Sequence, residues 1–467
     1  MAINTAMCAT LASRRWRAIG LGAIAVVLVW QVLSHSFAAY LAPIAPNAAL
    51  WLRPGQPVAL LKLAGQALTS EATTKLPAGS VQQPSSGRAD VGQRLNQSFS
   101  AFETVGRNES VNRPFLPGNA GVVRGWAEAA LRGAPLNARA LQILGRLAEA
   151  EDDDKSAAKF MRASAHLSSH DDVVEFWLMR RAILDKNYAS AIHYADVLLR
   201  TNPELAPDVV PVLGDVAEDP AARGLLDKIL ANNPPWRETF FAQLPQSVGD
   251  ARLPLAVLAA LQKGATPPTV AEVAAYVDFL VGRKLFNLGY YTWLQLLPAE
   301  ELRSAGLLFN GGFESPPSGL PFDWQIKQGS GVTIDIVPRA DKGGGHALLV
   351  DFQFGRVDYH SVTQLVMLSP GTYEFSGDYK GTLDGQRGLK WRVVCAEANA
   401  APIGESPMIM GLVPGWRSVG FTFTVPAAGC GAQYVRLDLD ARTQSEELVS
   451  GSMLFDDLRI SRVTNPS

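Results

Sequence analysis

Two short stretches, Asn310-Gly-Gly-Phe-Glu314 and Phe455-Asp-Asp-Leu458, frame the part of the chain whose reading decides the fold. Between them lie about 150 residues of strand-like sequence. Thr333-Ile-Asp-Ile-Val337, Ala347-Leu-Leu-Val-Asp-Phe352, Tyr373-Glu-Phe-Ser-Gly-Asp-Tyr379, Trp391-Arg-Val-Val-Cys395, Phe421-Thr-Phe-Thr-Val425 and Tyr434-Val-Arg-Leu-Asp-Leu439 alternate or run apolar between turns. A period of two is the signature of a strand half-buried in a sheet. Pro370-Gly371 and Asp384-Gly385 are turn dipeptides. About six to nine strands so spaced predict an antiparallel β-sandwich of jelly-roll type over residues 306–467.

Upstream the period changes. Val122–Arg132, Ala138–Ala150, Lys155–Leu167, Val173–Asp185 and Ala189–Thr201 carry apolar residues at three- and four-residue steps, with polar turns such as Asp152-Asp-Asp154 between them. That spacing predicts helices. Pro135 and Pro203 stand two periods of 34 residues apart, and Ala157 and Ala191 one period. Further helices are expected over Val270–Val281 and Leu285–Leu297, where Tyr290, Tyr291 and Trp293 are read as a seam onto the next domain. Glu71 to Gly121, rich in Ser, Gln, Pro and Gly, reads as a linker with one short helix at Val91–Thr104.

The N-terminus is apolar. Arg14, Arg15 and Arg17 precede Ala18–Leu52, which contains no Lys, Arg, Asp or Glu. Ile19–Leu33 is short for a span of about 20 residues, and Phe37–Ala42 extends it across Ser34-His35-Ser36. The three arginines put the N-terminus in the cytosol and the rest of the chain beyond the membrane. A cleaved signal peptide, with Ser36-Phe37-Ala38 as the cleavage site, is the other reading. The expected layout is a cytosolic tail (1–17), a transmembrane anchor (18–42), a short helix and flexible linker (43–121), an α-solenoid (122–305) and the sandwich (306–467). This is a multidomain α + β chain.

The 34-residue helix pair, with Leu141, Leu144, Gly145, Ala157 and Pro203, resembles the tetratricopeptide repeat. Glu175 and Met179 depart from it, standing where that family has a bulky apolar and a small residue. Such a solenoid implies a protein partner held on its concave face. The Asn310–Glu314 and Phe455–Leu458 motifs resemble the first and last strands of carbohydrate-binding modules. That resemblance implies a structural calcium ion held by Glu314 and Asp456, and no other cofactor. Strict alternation across Leu454–Ile460 would put Asp456 on the core face, where a carboxylate needs a cation or hydrogen-bond donors. The resemblance also implies glycan stacking on exposed rings, with Trp416, Tyr379 and Tyr359 as candidates. Trp324 and Trp391 are read as core. Cys395 and Cys430 are read as a disulfide in an oxidising compartment, closing a loop whose cross-link contributes about 3–4 kcal/mol.

Composition excludes some classes. The formal net charge is −2, with 18% charged and 47% hydrophobic residues, so no basic excess exists for nucleic acid. His166 and His170 have the four-residue spacing of metal ligands on a helix but sit where capping groups belong. Gly343-Gly-Gly345 lacks the lysine and helix of a phosphate loop. No zinc-protease helix, nucleophile elbow or Walker loop is present. The expectation is therefore a non-enzymatic scaffold of the bacterial inner membrane, single-pass, with its bulk in the periplasm. The layout resembles Gram-negative proteins of exopolysaccharide assembly or export, with the solenoid on an envelope protein and the sandwich on a polysaccharide. Two further readings stand beside it: an adaptor without glycan binding, and a polysaccharide lyase or hydrolase whose cleft carries no motif.

Overall fold

The computed structural model describes residues 4–70, 120–168, 171–339, 344–397 and 401–463. Residues 71–119, most of the linker expected at Glu71–Gly121 and all of the helix expected at Val91–Thr104, lie outside them, as does His170, whereas Ala120 and Gly121 begin a helix. Among the described residues are fifteen α-helices, followed by nine strands in two antiparallel sheets. The chain divides into two compact units, Met1–Leu226 and Asp227–Ser467.

In the first unit, α1 (Asn4–Leu41) contains the apolar stretch, and α2 (Pro46–Leu52) and α3 (Pro57–Ser70) follow it. Next come α4 (Ala120–Gly133), α5 (Ala138–Ala150), α6 (Asp154–Leu167), α7 (Asp172–Leu184) and α8 (Tyr188–Thr201). The bounds of hairpin α7–α8 are those of α5–α6 displaced by 34 residues. Their starts are set by side-chain caps: Asn137, Asp153, Asp171 and Asn187 each accept a backbone N–H three residues on. Asp152 and Lys186, at equivalent turns, both adopt positive φ. At equivalent core positions Gly145 and Met161 of the first hairpin become Met179 and Ala195 in the second, so the small and large partners exchange. A Cβ on Gly145 would lie 3.0 Å from Met161. The regular period ends there: α9 (Ala206–Ala217) and α10 (Pro220–Leu230) are shorter, and α9 contains Pro211.

Glu175 is the misfit in this packing. It is buried, and Oε2 has no hydrogen-bond partner in the structure. Burial, then repulsion from Asp171 and Asp172, pushes its carboxyl pKa up to about 7.

The second unit takes in the end of α10 from Asp227 and continues with α11 (Arg237–Ser247), α12 (Leu253–Gln262), α13 (Val270–Gly282), α14 (Phe286–Leu296) and α15 (Ala299–Ser304). Arg237 and Glu272, both almost fully buried, form an ion pair in which Nη2 donates to Oε2 at 2.8 Å. The guanidinium also donates to the carbonyls of Leu230, Thr266 and Pro267, so neither charge is left uncompensated.

The sandwich comprises β1 (Val332–Pro338), β2 (His346–Phe352), β3 (Val362–Val366), β4 (Gly371–Gly385), β5 (Leu389–Cys395), β6 (Gly404–Glu405), β7 (Gly411–Val425), β8 (Gln433–Leu439) and β9 (Val449–Arg462). The orders are β1-β2-β9-β4-β7 and β3-β8-β5-β6, with one apolar core between the sheets. Trp324 and Trp391 are fully buried in it, as expected. Cys395, ending β5, and Cys430, before β8, form the disulfide.

The Asn310–Glu314 turn binds the start of this domain to its last strand. Gly311 O accepts the Leu458 N–H at 2.9 Å, and a Cβ on Gly311 would fall 2.0 Å from Leu458 O. Only glycine fits so close a backbone crossing. Trp324 Nε1 donates to Asn310 O at 2.9 Å, tying the turn to the core.

A prediction follows from Glu175. A carboxyl whose pKa is raised on folding stabilises the fold when protonated, fully below the unfolded value and no longer as pH rises through about 7. Glu175→Gln is expected to raise helical-unit stability at pH 8 by about 1–3 kcal/mol and to flatten its decline between pH 6 and 8. Thermal melts followed by far-UV circular dichroism across that range measure both.

Candidate functional site

The two faces of the β3–β8 pair are chemically distinct. Val362, Gln364 and Val366 of β3, and Gln433, Val435 and Leu437 of β8, are buried toward the other sheet. The opposite face carries Thr363, Leu365 and Met367 beside Tyr434, Arg436 and Asp438, with Thr363 opposite Arg436 and Leu365 opposite Tyr434. One end of this outer face is covered: Leu365 and Ala432 pack with Val273 and Val277 of α13, Phe286 and Trp293 of α14, and Phe309 and Phe322. Trp293 meets Phe309 edge-on at 5.0 Å, and Tyr290 meets Phe322 at 5.3 Å. Tyr290 and Trp293 are thus seam residues, while Tyr291 is exposed.

The other end is open. Gln325 pairs with Thr363 as an added edge to the sheet, and beside it lies a groove of about 460 Å³. Gln325, Lys327, Tyr359, His360, Ser361, Thr363, Tyr434 and Arg436 line it. Its wall is a mixture of hydroxyls, two cationic side chains, an imidazole and two phenol rings, without a carboxylate. Asp438 stands behind the wall, accepting from Ser361 Oγ, from Arg436 Nε at 3.2 Å and from Arg392 Nη1 at 3.4 Å. That fixes the Arg436 fork at its base. Asp278 of α13 acts on Lys327 and Tyr434 from the covered end, and Tyr434 is pushed above the usual phenol range, by burial first. Beyond the groove, Lys390 and Arg392 of β5 are tied to Glu405 and Asp440, so the rest of the face is internally neutralised.

The residues singled out from sequence do not converge. Tyr359 lies in the groove wall, its hydroxyl donating to Leu437 O at 3.0 Å, and burial pushes its pKa far up. Its ring packs at 5.4 Å from Phe352, so it shapes the wall from beneath. Tyr379 and Trp416 belong to the five-stranded sheet. Tyr379 is half-buried against the sandwich core. Trp416 is half-buried with the Arg339 guanidinium 4.4 Å above its ring centroid. The residues that sequence reading passed over are Tyr434, Arg436, Lys327, His360 and Ser361. Alternation in Tyr434-Val-Arg-Leu-Asp-Leu439 already placed Tyr434, Arg436 and Asp438 on one face.

Strict alternation fails in β9. Met453 and Phe455 face the core and Leu454 is only half-buried, whereas Leu458 and Ile460 return to the core. A bulge explains the switch: Asp457 takes φ 54°, and the register with β4 shifts between Ser376 and Asp378. Asp456, directly before the bulge, is nevertheless buried, its Oδ2 on Arg339 Nη1 and its Oδ1 accepting the Asp457 N–H at 2.6 Å. Burial raises its pKa despite these bonds. Glu314 lies across Gly312 but turns to His346, accepting the backbone N–H at 3.2 Å with Nδ1 at 3.3 Å. In this structure the two carboxylates take different partners: the Arg339 guanidinium holds Asp456, and Glu314 turns to His346. His166 is exposed, and Asp171 caps α7.

No family model matches the chain, and no curated protein does. Among solved structures, carbohydrate-binding modules resemble the C-terminal β region. A family 4 module is 16% identical, covering 33% of this chain and 99% of its own, with a TM-score of 0.26. The xylan-binding domain from Paenibacillus barcinonensis is 16% identical, covering 31% of this chain and 87% of its own, at 0.22. A carbohydrate-binding module of a Cellvibrio mixtus lichenase, in complex with cellotriose, is 18% identical, covering 30% of this chain and 92% of its own, at 0.20.

The Arg339–Asp456 pair yields a prediction. Arg339→Met leaves a buried carboxylate uncompensated and is expected to cost about 2–4 kcal/mol, most of it regained with Asp456→Asn in the same chain. Added calcium or chelator is expected to leave the wild-type melting temperature unchanged. Near-UV circular dichroism melts measure both, and a calcium-dependent shift would contradict the guanidinium assignment.

Proposed function

We propose that this protein is a membrane-anchored binding protein that takes hold of a glycan on the outer face of its four-stranded sheet. The observation that carries the reading is the open groove, where hydroxyls, amide, imidazole and guanidinium converge beside a phenol ring on a rigid strand pair. Sugars are recognised by such planar hydrogen-bonding groups set against an apolar ring surface. The resemblance of Asn310–Glu314 and Phe455–Leu458 to carbohydrate-binding modules points the same way.

Two observations support the location. The stretch Ala23–Leu41 of α1 is long and apolar enough to cross a membrane, a character it shares with signal sequences. Ala38 is itself buried, so cleavage after it would remove a packed residue, which favours the anchor. The Cys395–Cys430 disulfide suits an oxidising compartment such as the periplasm. The tetratricopeptide-like hairpins would hold an envelope protein, and the whole would serve exopolysaccharide assembly or export.

The full chain in detergent is expected to be retained on a subset of immobilised bacterial polysaccharides. Tyr434→Ala and Arg436→Ala are each expected to weaken retention about tenfold, the scale of one lost charged hydrogen bond or ring contact. Trp416→Phe is expected to leave it unchanged. Retention untouched by both groove variants would remove the site.

The seam of α13 and α14 favours a second reading, an adaptor in which helices occupy the sheet face. It makes the same chain bind no polysaccharide at all. In either case limited proteolysis is expected to leave residues 227–339 and 344–463 in one resistant core.

A further inference from the structure

The segment after the apolar helix folds back along it. Residues 42–45 turn the chain at the end of α1, and α2 returns against its last turns. Arg53, just past α2, brings its guanidinium onto His35 Nδ1, and Lys62 of α3 donates to Pro43 O. His35 lies six residues before Leu41, roughly 9 Å back along the helix axis at 1.5 Å per residue. If the hydrocarbon reached Leu41, Arg53 would be held about 9 Å inside it, at a cost of several kcal/mol. Ser34, His35 and Ser36 are polar and stand at the level the guanidinium reaches. Residues 18–33 then cross the hydrocarbon over about 24 Å, short enough that the bilayer thins locally.

The side chains around this turn suit an interface. Tyr40, Ile44 and Trp51 are 66%, 67% and 85% exposed, around a turn whose small residues Ala38, Ala42 and Ala49 are buried. Tyr and Trp concentrate at the headgroup level of membranes, and Arg and Lys meet lipid phosphates there.

Resting on the membrane-anchor reading, we propose that the membrane surface meets this chain at Ser34–Ser36. The last two turns of α1, with α2 and the start of α3, form a collar lying in the phospholipid headgroups. Arg53 and Lys62 face the phosphates, and Trp51, Tyr40 and Ile44 form the belt. The first helical unit is thereby seated on the bilayer instead of standing off it on a free α1.

The test uses the full chain with Cys8→Ser, reconstituted in phosphatidylethanolamine–phosphatidylglycerol vesicles. Single cysteines at Trp30→Cys, Phe37→Cys and Trp51→Cys carry an environment-sensitive fluorophore. Nitroxide lipids labelled at the headgroup or near the acyl terminus report depth. Position 30 is expected to be quenched by the deep label, and positions 37 and 51 by the headgroup label. A surface at Leu41 would instead move position 37 inward by roughly 9 Å, into reach of the deep label. Deep quenching at 37, or no quenching at 51, overturns the collar while leaving the anchor standing. No quenching at position 30 overturns the anchor reading and the collar with it. Arg53→Leu separates the cause: position 37 is expected to move deeper, and an unchanged depth contradicts the role given to Arg53.

Discussion

The contact on which the second unit depends is the packing of Trp293 and Phe286 onto Leu365, Phe309 and Phe322. Leu365 on the outer face of β3 and Met367 just past the strand would leave apolar surface in water; the helices α13 and α14 remove it. The same contact divides the outer face of the four-stranded sheet in two. One half becomes internal structure, and the other half, from Tyr434 to Ser361, is what a ligand can reach. Fold and site therefore have a common origin in where the apolar residues of β3 stop.

Charge is handled in the same manner at three places. Arg237 with Glu272, Arg339 with Asp456, and Arg392 with Asp438 and Asp440 each place a guanidinium against a buried or half-buried carboxylate. A planar fork satisfies such carboxylates with directed bonds, which a lysine does less well. At Asp456 this matters most, because the neighbouring motif resembles one that implies calcium. In the structure the residue following β1, Arg339, sets its guanidinium on that carboxylate. Stacking of that guanidinium on Trp416 then draws into structure a ring that looked available for a sugar.

Much of the architecture was legible because it rests on local periodicity. The switch from helical to strand spacing near Leu307 and the 34-residue displacement between α5–α6 and α7–α8 follow from short-range pattern, while the disulfide pair was read from the compartment that the apolar N-terminus implies. Site geometry was less so. The bulge at Asp457 shifts the faces of β9 by one residue, and nothing in Phe-Asp-Asp-Leu signals a positive φ at its third position. Arg339 reaches Asp456 across 117 positions, a contact that no spacing rule contains. Tyr434 and Arg436 were readable as an outward pair, but their meaning depends on helices that cover Leu365 and leave them open.

Hydroxyl-radical footprinting of the full chain, with and without a retained polysaccharide, tests the central claim most directly. Protection concentrated at Tyr434, His360 and the 325–327 edge, with Trp416 and Tyr291 unchanged, is the predicted result. Protection at Trp416 or Tyr291, with Tyr434 and His360 as reactive as before, would contradict a glycan site on the four-stranded sheet.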